Sequence, residues 1–328
     1  MTPRSPELDA LLDRLLGRGP RDFERVMPID ARQEALTEQH VVPALPILET
    51  EFLAIREELD RDMRGRLEAN PAMAIRGDPS RYPKGYCLPI TIQSFERFCA
   101  RGIEGRGSEG FRAVWRFHEA GGVVARVWGI LREQYFQNAM QLGSWYFDVA
   151  NDTVDVRKPK IEHMPMAASG FRNVASLADF VRIAERYWRC SILPNLEFLR
   201  LAPFAPLLRI DHDEGMLSVI PLGEGMQWLS LEDRFREVEE YLCAGVREGR
   251  RLPEEWASRA AEHRQIHLPG AVLPPPGGFD EATIRRVCAE ARATWCRPGQ
   301  VPRALDQFRI AASRIRIRGP RSSGPQTT

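Results

Sequence analysis

The chain has 328 residues, enough for one large domain or two modest ones. A hydrophobic fraction of 43%, a charged fraction of 28% and a net charge of +1 exclude a low-complexity or strongly polyionic chain and leave no strong overall field for nucleic acid or a membrane surface. No apolar run approaches the roughly 18 residues needed to span a bilayer. The opening residues, MTPRSPELDALLDRLLG, mix acids into the apolar pattern, so they do not read as a signal peptide and a cytoplasmic location is expected.

Leu45, Leu48, Phe52, Ile55, Leu59, Met63 and Leu67 recur at spacings of three and four, which predicts one long helix with an apolar face, ended by Pro71. Pro89 suits the first turn of a second helix running to about Ala100. In FRAVWRFHEA the side chains Phe111, Ala113, Trp115 and Phe117 alternate with Arg112, Val114, Arg116 and His118, which predicts a strand, and Gly121-Gly122 predicts a hairpin turn after it. VVARVWGIL, QYFQNAMQ, SWYFDV and TVDV continue as strands, with a turn at Leu142-Gly143. The expectation is an antiparallel meander of about four or five strands, roughly 108–157.

Beyond it, Ser176 with Asp179 predicts a helix start, stopped by Pro194. LLRID and MLSVI flank HDEG as a second hairpin. Ser230 is expected to cap a helix with Leu231, Phe235, Val238, Leu242 and Val246 on its buried stripe. Pro253 and Asp280 start two more, with a stiff LPGAVLPPPGG connector between them. The basic tail SRIRIRGPRSSGPQTT is expected to lack regular structure. The fold class is therefore α+β: an N-terminal helical region (1–75), an α/β core (76–165), a mostly helical C-terminal region with one hairpin (166–300) and a partly disordered tail (301–328).

Arginine supplies nearly every cation in the chain. Its three lysines, Lys84, Lys158 and Lys160, border the same segment, and an ammonium is a compact, titratable point charge that arginine does not replace. Cys87 stands at the predicted helix start, where backbone N–H groups and the helix dipole favour a thiolate, with Lys84 adding to that field. His118 is the next histidine, and Asp148 lies on SWYFDV. Together they suggest a nucleophile, a general base and its orienting carboxylate. Asn138, on an apolar strand face with Phe136 and Met140, either holds a peptide-like ligand or ties strands together. Trp115, Trp128, Trp145 and Tyr146 suit a binding surface or a core. None of the six cysteines forms a CxxC pair, so reduced thiols are expected.

A helix-start cysteine preceded by glycine, then antiparallel strands with a histidine and later an aspartate in GSWYFD, resembles the papain-like and transglutaminase-like thiol enzymes over about residues 82–156. The histidine those families carry just before such a segment is replaced here by FQNAMQ, with Gln137 and Asn138. The resemblance implies a thiol-dependent acyltransferase or amide hydrolase acting on a small molecule or peptide without a cofactor. Cys87, His118 and Asp148 would be catalytic, and Lys84, Asn138, Trp145 and Tyr146 would bind substrate. The alternative is a non-catalytic binding or accessory protein using the same cleft. A third reading takes His212, Glu214 and His263 as ligands of Fe2+ in a non-haem oxygenase, with His267 one turn beyond His263. The arginine-rich tail alone points toward nucleic acid, and the balanced charge elsewhere argues against it. The oligomeric state stays open.

Overall fold

A computed structural model describes residues 5–16, 25–103, 108–221, 226, 233–267, 280–295 and 310–319. The chain divides into two compact units, Met1–Asn173 and Val174–Thr328, each an α+β arrangement around an antiparallel sheet.

In the first unit, helices α1 (Pro6–Leu16), α2 (Ala31–Leu36), α3 (Leu45–Ala69), α4 (Cys87–Ile103) and α5 (Glu109–Glu119) precede the sheet. The predicted stripe of α3 is its buried face: Leu48, Phe52, Ile55 and Leu59 are at most 1% exposed. Each such side chain contributes about 1.5–3 kcal/mol of burial. Strands β1 (Val124–Leu131), β2 (Tyr135–Leu142), β3 (Trp145–Asp148), β4 (Glu162–Pro165) and β5 (Phe171–Arg172) form a sheet in the order β4-β3-β2-β1-β5, with α6 (Met166–Ser169) between the last two strands.

Three expectations fail here. FRAVWRFHEA is α5, not a strand. Ser108 caps it, accepting from the Phe111 N–H at 3.1 Å, and the buried set Gly110, Ala113, Val114 and Phe117 follows helical spacing. Gly121-Gly122 ends that helix instead of turning a hairpin: the Gly122 N–H donates to Phe117 O (2.8 Å) and the Gly121 N–H to His118 O (2.9 Å), the paired bonds of a left-handed helix stop. The TVDV strand is absent. Asn151–Thr153 is a 3₁₀ turn, and the fourth strand is β4, with Phe147 opposite His163. The turn at Leu142-Gly143 is present. Gly143 has φ +61°, and a Cβ there would lie 2.2 Å from Thr37 Oγ1.

The second unit begins with α7 (Leu177–Trp188), where Ser176 Oγ accepts from the Asp179 N–H at 3.0 Å. The helix stops at Trp188, before Pro194, because Arg189 turns left-handed (φ 51°) and the chain enters β6 (Cys190–Pro194). The predicted hairpin is β7 (Leu207–Asp211) and β8 (Met216–Ile220). Helices α8 (Arg236–Arg247), α9 (Glu254–His267) and α10 (Glu281–Trp295) follow, the last capped by Asp280. Ser230, Leu231 and the proline-rich connector lie outside the described residues. Arg316–Arg318, expected to lack regular structure, is β9, the edge of a sheet ordered β6-β7-β8-β9. Ile315 and Ile317 bury themselves with Leu208, Leu217 and Trp256, which fixes this strand in place. Among the described residues no helix is long and apolar enough to cross a membrane.

Candidate functional site

Cys87 is the first residue of α4, and its neighbours come from β2. The Asn138 Nδ2–H donates to Cys87 Sγ at 3.2 Å, and the Thr91 hydroxyl donates to Asn138 O at 3.1 Å, tying the first turn of the helix to the strand. Burial pushes the Cys87 thiol up from its ordinary value; the Asn138 and Leu88 N–H groups oppose that shift without cancelling it, and the charge of Asp148 adds to it. The direction is opposite to the lowering expected for a cysteine at a helix start, and its largest cause is desolvation.

Successive residues of a strand point to opposite faces. Asn138 faces Cys87, so Gln137 faces away, and it is Gln137 that meets Asp148: Nε2 donates to Asp148 Oδ2 at 2.6 Å. Tyr146 OH donates to the same oxygen at 3.1 Å, and the Ala150 N–H to Oδ1 at 2.7 Å. Asp148 is fully buried, and desolvation raises its pKa to about 7 against those three donors. His118 sits near the end of α5 beside Trp115, with ring centroids 5.9 Å apart; burial first, then the charge of Arg14, lowers its pKa. The structure therefore divides the three expected catalytic residues. Cys87 and Asp148 lie against opposite faces of the sheet, and among the described residues no histidine hydrogen-bonds to either.

The histidine that does meet GSWYFD is His163, which lies outside the expected catalytic set. Its ring stacks on Phe147 (5.5 Å, 5°), its Nδ1 accepts from Trp145 Nε1 at 3.4 Å, and its Nε2 lies 3.6 Å from Glu49. Only the β3–β4 register brings it there. Trp145 is half-buried and Tyr146 fully buried, so both pack more than they present a surface. Trp115 stacks on Phe111 and carries Arg14 over its ring; Trp128 stacks on Phe136.

A second cluster lies where α3 meets the loop after β3. Arg56, wholly buried, donates to Asp152 (3.0 and 3.1 Å), to Asp60 and to the carbonyl of Val149. Burial acts to lower its pKa, and the two carboxylates outweigh it, so the net shift is upward. Asp60 also accepts from Tyr82 OH (2.6 Å) and Lys160 Nζ (2.5 Å), and these donors hold its pKa below the ordinary range despite burial. The lysines converge on this loop. Lys158 donates to Tyr135 OH at 2.7 Å, while Lys84 is exposed on a turn pinned by the Gly85 N–H bond to Thr153 O. Asn151 adds a bond from Nδ2 to Pro159 O, and its buried Oδ1 has no hydrogen-bond partner.

The alternative iron ligands do not assemble. Asp211 Oδ1 accepts from the Asp213 and Glu214 N–H groups, making HDEG a polar hairpin turn, and His212 Nε2 pairs with Ser191 Oγ at 2.8 Å. His263 packs edge-on to Phe198, and the His267 side chain lies outside the described residues. Among the described residues, no three His, Cys, Asp or Glu side chains are grouped to hold a metal ion. The five described cysteines are free thiols. No family model matches the chain, and no curated protein or solved structure matches it.

Proposed function

We propose that the first unit is a binding or accessory module for a small anionic molecule or the acidic end of a peptide, and not a thiol enzyme. The observation that carries this reading is the Asn138 bond to Cys87 Sγ: the thiol is half-buried, desolvation pushes its pKa up, and its polar neighbour is an amide, which takes no proton. The site of binding on this reading is the rim formed by residues 82–87 and the loop 151–160. All three lysines border it, and Lys84 stands exposed on its turn. A cytoplasmic setting belongs to the same reading, since the described thiols are unpaired.

The test is thermal denaturation of the whole chain against a panel of carboxylates, phosphates and short acidic peptides, repeated on Lys84→Glu. A ligand that raises the wild-type midpoint, with the shift reduced in Lys84→Glu, supports the reading. No shift across the panel, together with a hydrolase or acyltransferase activity that Cys87→Ser abolishes, overturns it and restores the thiol enzyme.

A further inference from the structure

In the second unit, the edge strand β9 carries Arg316 and Arg318 on its exposed side, Arg314 is exposed in the turn just before it, and the intervening Ile315 and Ile317 are buried. A two-residue step along a strand is about 6.6–6.8 Å, which sets the spacing at which Arg316 and Arg318 leave the backbone, and Arg314 adds a third exposed cation from the adjoining turn. No carboxylate pairs with any of them among the described residues. The register extends the row inward: Arg316 lies opposite Ser218, and Ser218 opposite Arg209. Arg209 reaches back along this face, pairing with Asp211 at 2.5 Å and lying 5.4 Å from the centre of the half-buried Trp188 ring. Exposed Arg189 follows that tryptophan.

We propose that this face of the four-stranded sheet binds single-stranded nucleic acid. Charge on an edge strand also discourages pairing with another chain, but that role asks nothing of Arg209 on the inner strand β7 or of Trp188 at the end of α7. Three features favour a nucleic-acid strand over another polyanion. The cations are all arginine, whose planar fork matches a phosphate with two parallel hydrogen bonds. Arg316 and Arg318 follow one another along the edge strand, and the register aligns Arg316 through Ser218 with Arg209. A partly open indole lies at the inner end of the row, where an unstacked base would rest on it. A duplex keeps its bases stacked and offers none to the indole. The near-neutral charge of the whole chain hides the patch because acids elsewhere in the sequence offset it.

The experiment uses the full chain and a labelled oligo-uridine of about 15 nucleotides, read by fluorescence anisotropy at about 50 and 200 mM salt. A duplex of equal length and an acidic peptide serve as competitors. Three phosphate contacts give a slope of about −2 in log K against log salt, a loss of roughly 15–20-fold between those concentrations. Replacing Arg314, Arg316 and Arg318 together by Gln is expected to remove most of that slope and at least about tenfold in affinity. These side chains are exposed and unpaired, so circular dichroism and the melting midpoint should stay at wild-type values. Trp188→Leu is expected to weaken binding by about tenfold and leave the slope unchanged. No binding at the lower salt overturns the proposal, as does a triple variant that binds like wild type. Equal competition by the duplex or by the acidic peptide overturns the single-strand assignment.

Discussion

Asn138 Nδ2 donates a hydrogen bond to Cys87 Sγ at 3.2 Å, joining the first turn of α4 to the central strand β2. The polar side chain at the sulfur is thus an amide, from a residue whose place on an apolar strand face suits a ligand holder or a strand tie. In the structure its side chain and its carbonyl both bond to α4, through Cys87 and Thr91.

With its pKa raised, Cys87 should resist alkylation in the native protein. Iodoacetamide labelling followed by mass spectrometry is expected to leave Cys87 unmodified near pH 8, where a free cysteine of pKa about 8.5 reacts, and to label it once the chain is unfolded. Fast native labelling below that pH would contradict this. Asn138→Ala is expected to cost about 1–2 kcal/mol of stability, read from urea denaturation.

Asp148 makes stability depend on pH with a definite sign. Its folded pKa of about 7 lies above the unfolded value of about 3.9, so the folded state holds the proton more tightly. The stabilising contribution is full below about pH 4 and is lost as pH rises through about 7, with a total of roughly 4 kcal/mol. Asp148→Asn removes this titration. The change in unfolding free energy between about pH 5 and pH 8 should therefore be smaller in the variant than in wild type; an equal change would assign the titration elsewhere.

Arg56 is enclosed, and its loss strands Asp60 and Asp152 in a buried setting. Arg56→Met is expected to destabilise the first unit by about 3–5 kcal/mol. Lys160, about a third exposed, shares Asp60 from the solvent side, so Lys160→Met should cost no more than about 1 kcal/mol. Denaturant titration of both variants checks the ranking, and comparable losses would show that the network does not depend on its buried member.

Ile317 makes the end of the chain structural. It is 6% exposed and packs with Leu208, Leu217 and Trp256. Ile317→Ala is expected to cost about 2–4 kcal/mol, whereas Arg316→Gln on the open side should stay within about 0.5 kcal/mol. Thermal melts distinguish the two, and a silent Ile317→Ala would mean that β9 contributes little to the sheet.

Elements whose signals are local were legible in the sequence. The α3 stripe declares its period over 25 residues, and Ser176 and Asp280 cap the helices they were expected to cap. The β7–β8 hairpin closes on the HDEG turn because Asp211 satisfies two of its N–H groups. The α5 segment misled because Phe111, Ala113, Trp115 and Phe117 fit a two-residue period, while Ala113, Val114 and Phe117 with Gly110 fit a helical one. Ser108 at its start and the paired glycines at its end were the deciding signals, and the glycines serve a hairpin or a helix stop equally well.

By itself the sequence determined an α+β protein with its main helices, its central strands β1–β3 and the segment that gathers the lysines. These follow from spacing, capping and composition, which act over a few residues. Tertiary structure alone decided that Asn138 and not a histidine meets Cys87, that Asp148 faces the other side of the sheet, that His163 stacks on Phe147 and that Arg316–Arg318 closes a sheet. Those outcomes depend on which strand pairs with which and in what register, and a one-residue slip would reverse every face. Burial also pushes the Cys87 thiol up where a helix start alone would lower it, because desolvation is a property of the packed surroundings and leaves no mark on the residues in line.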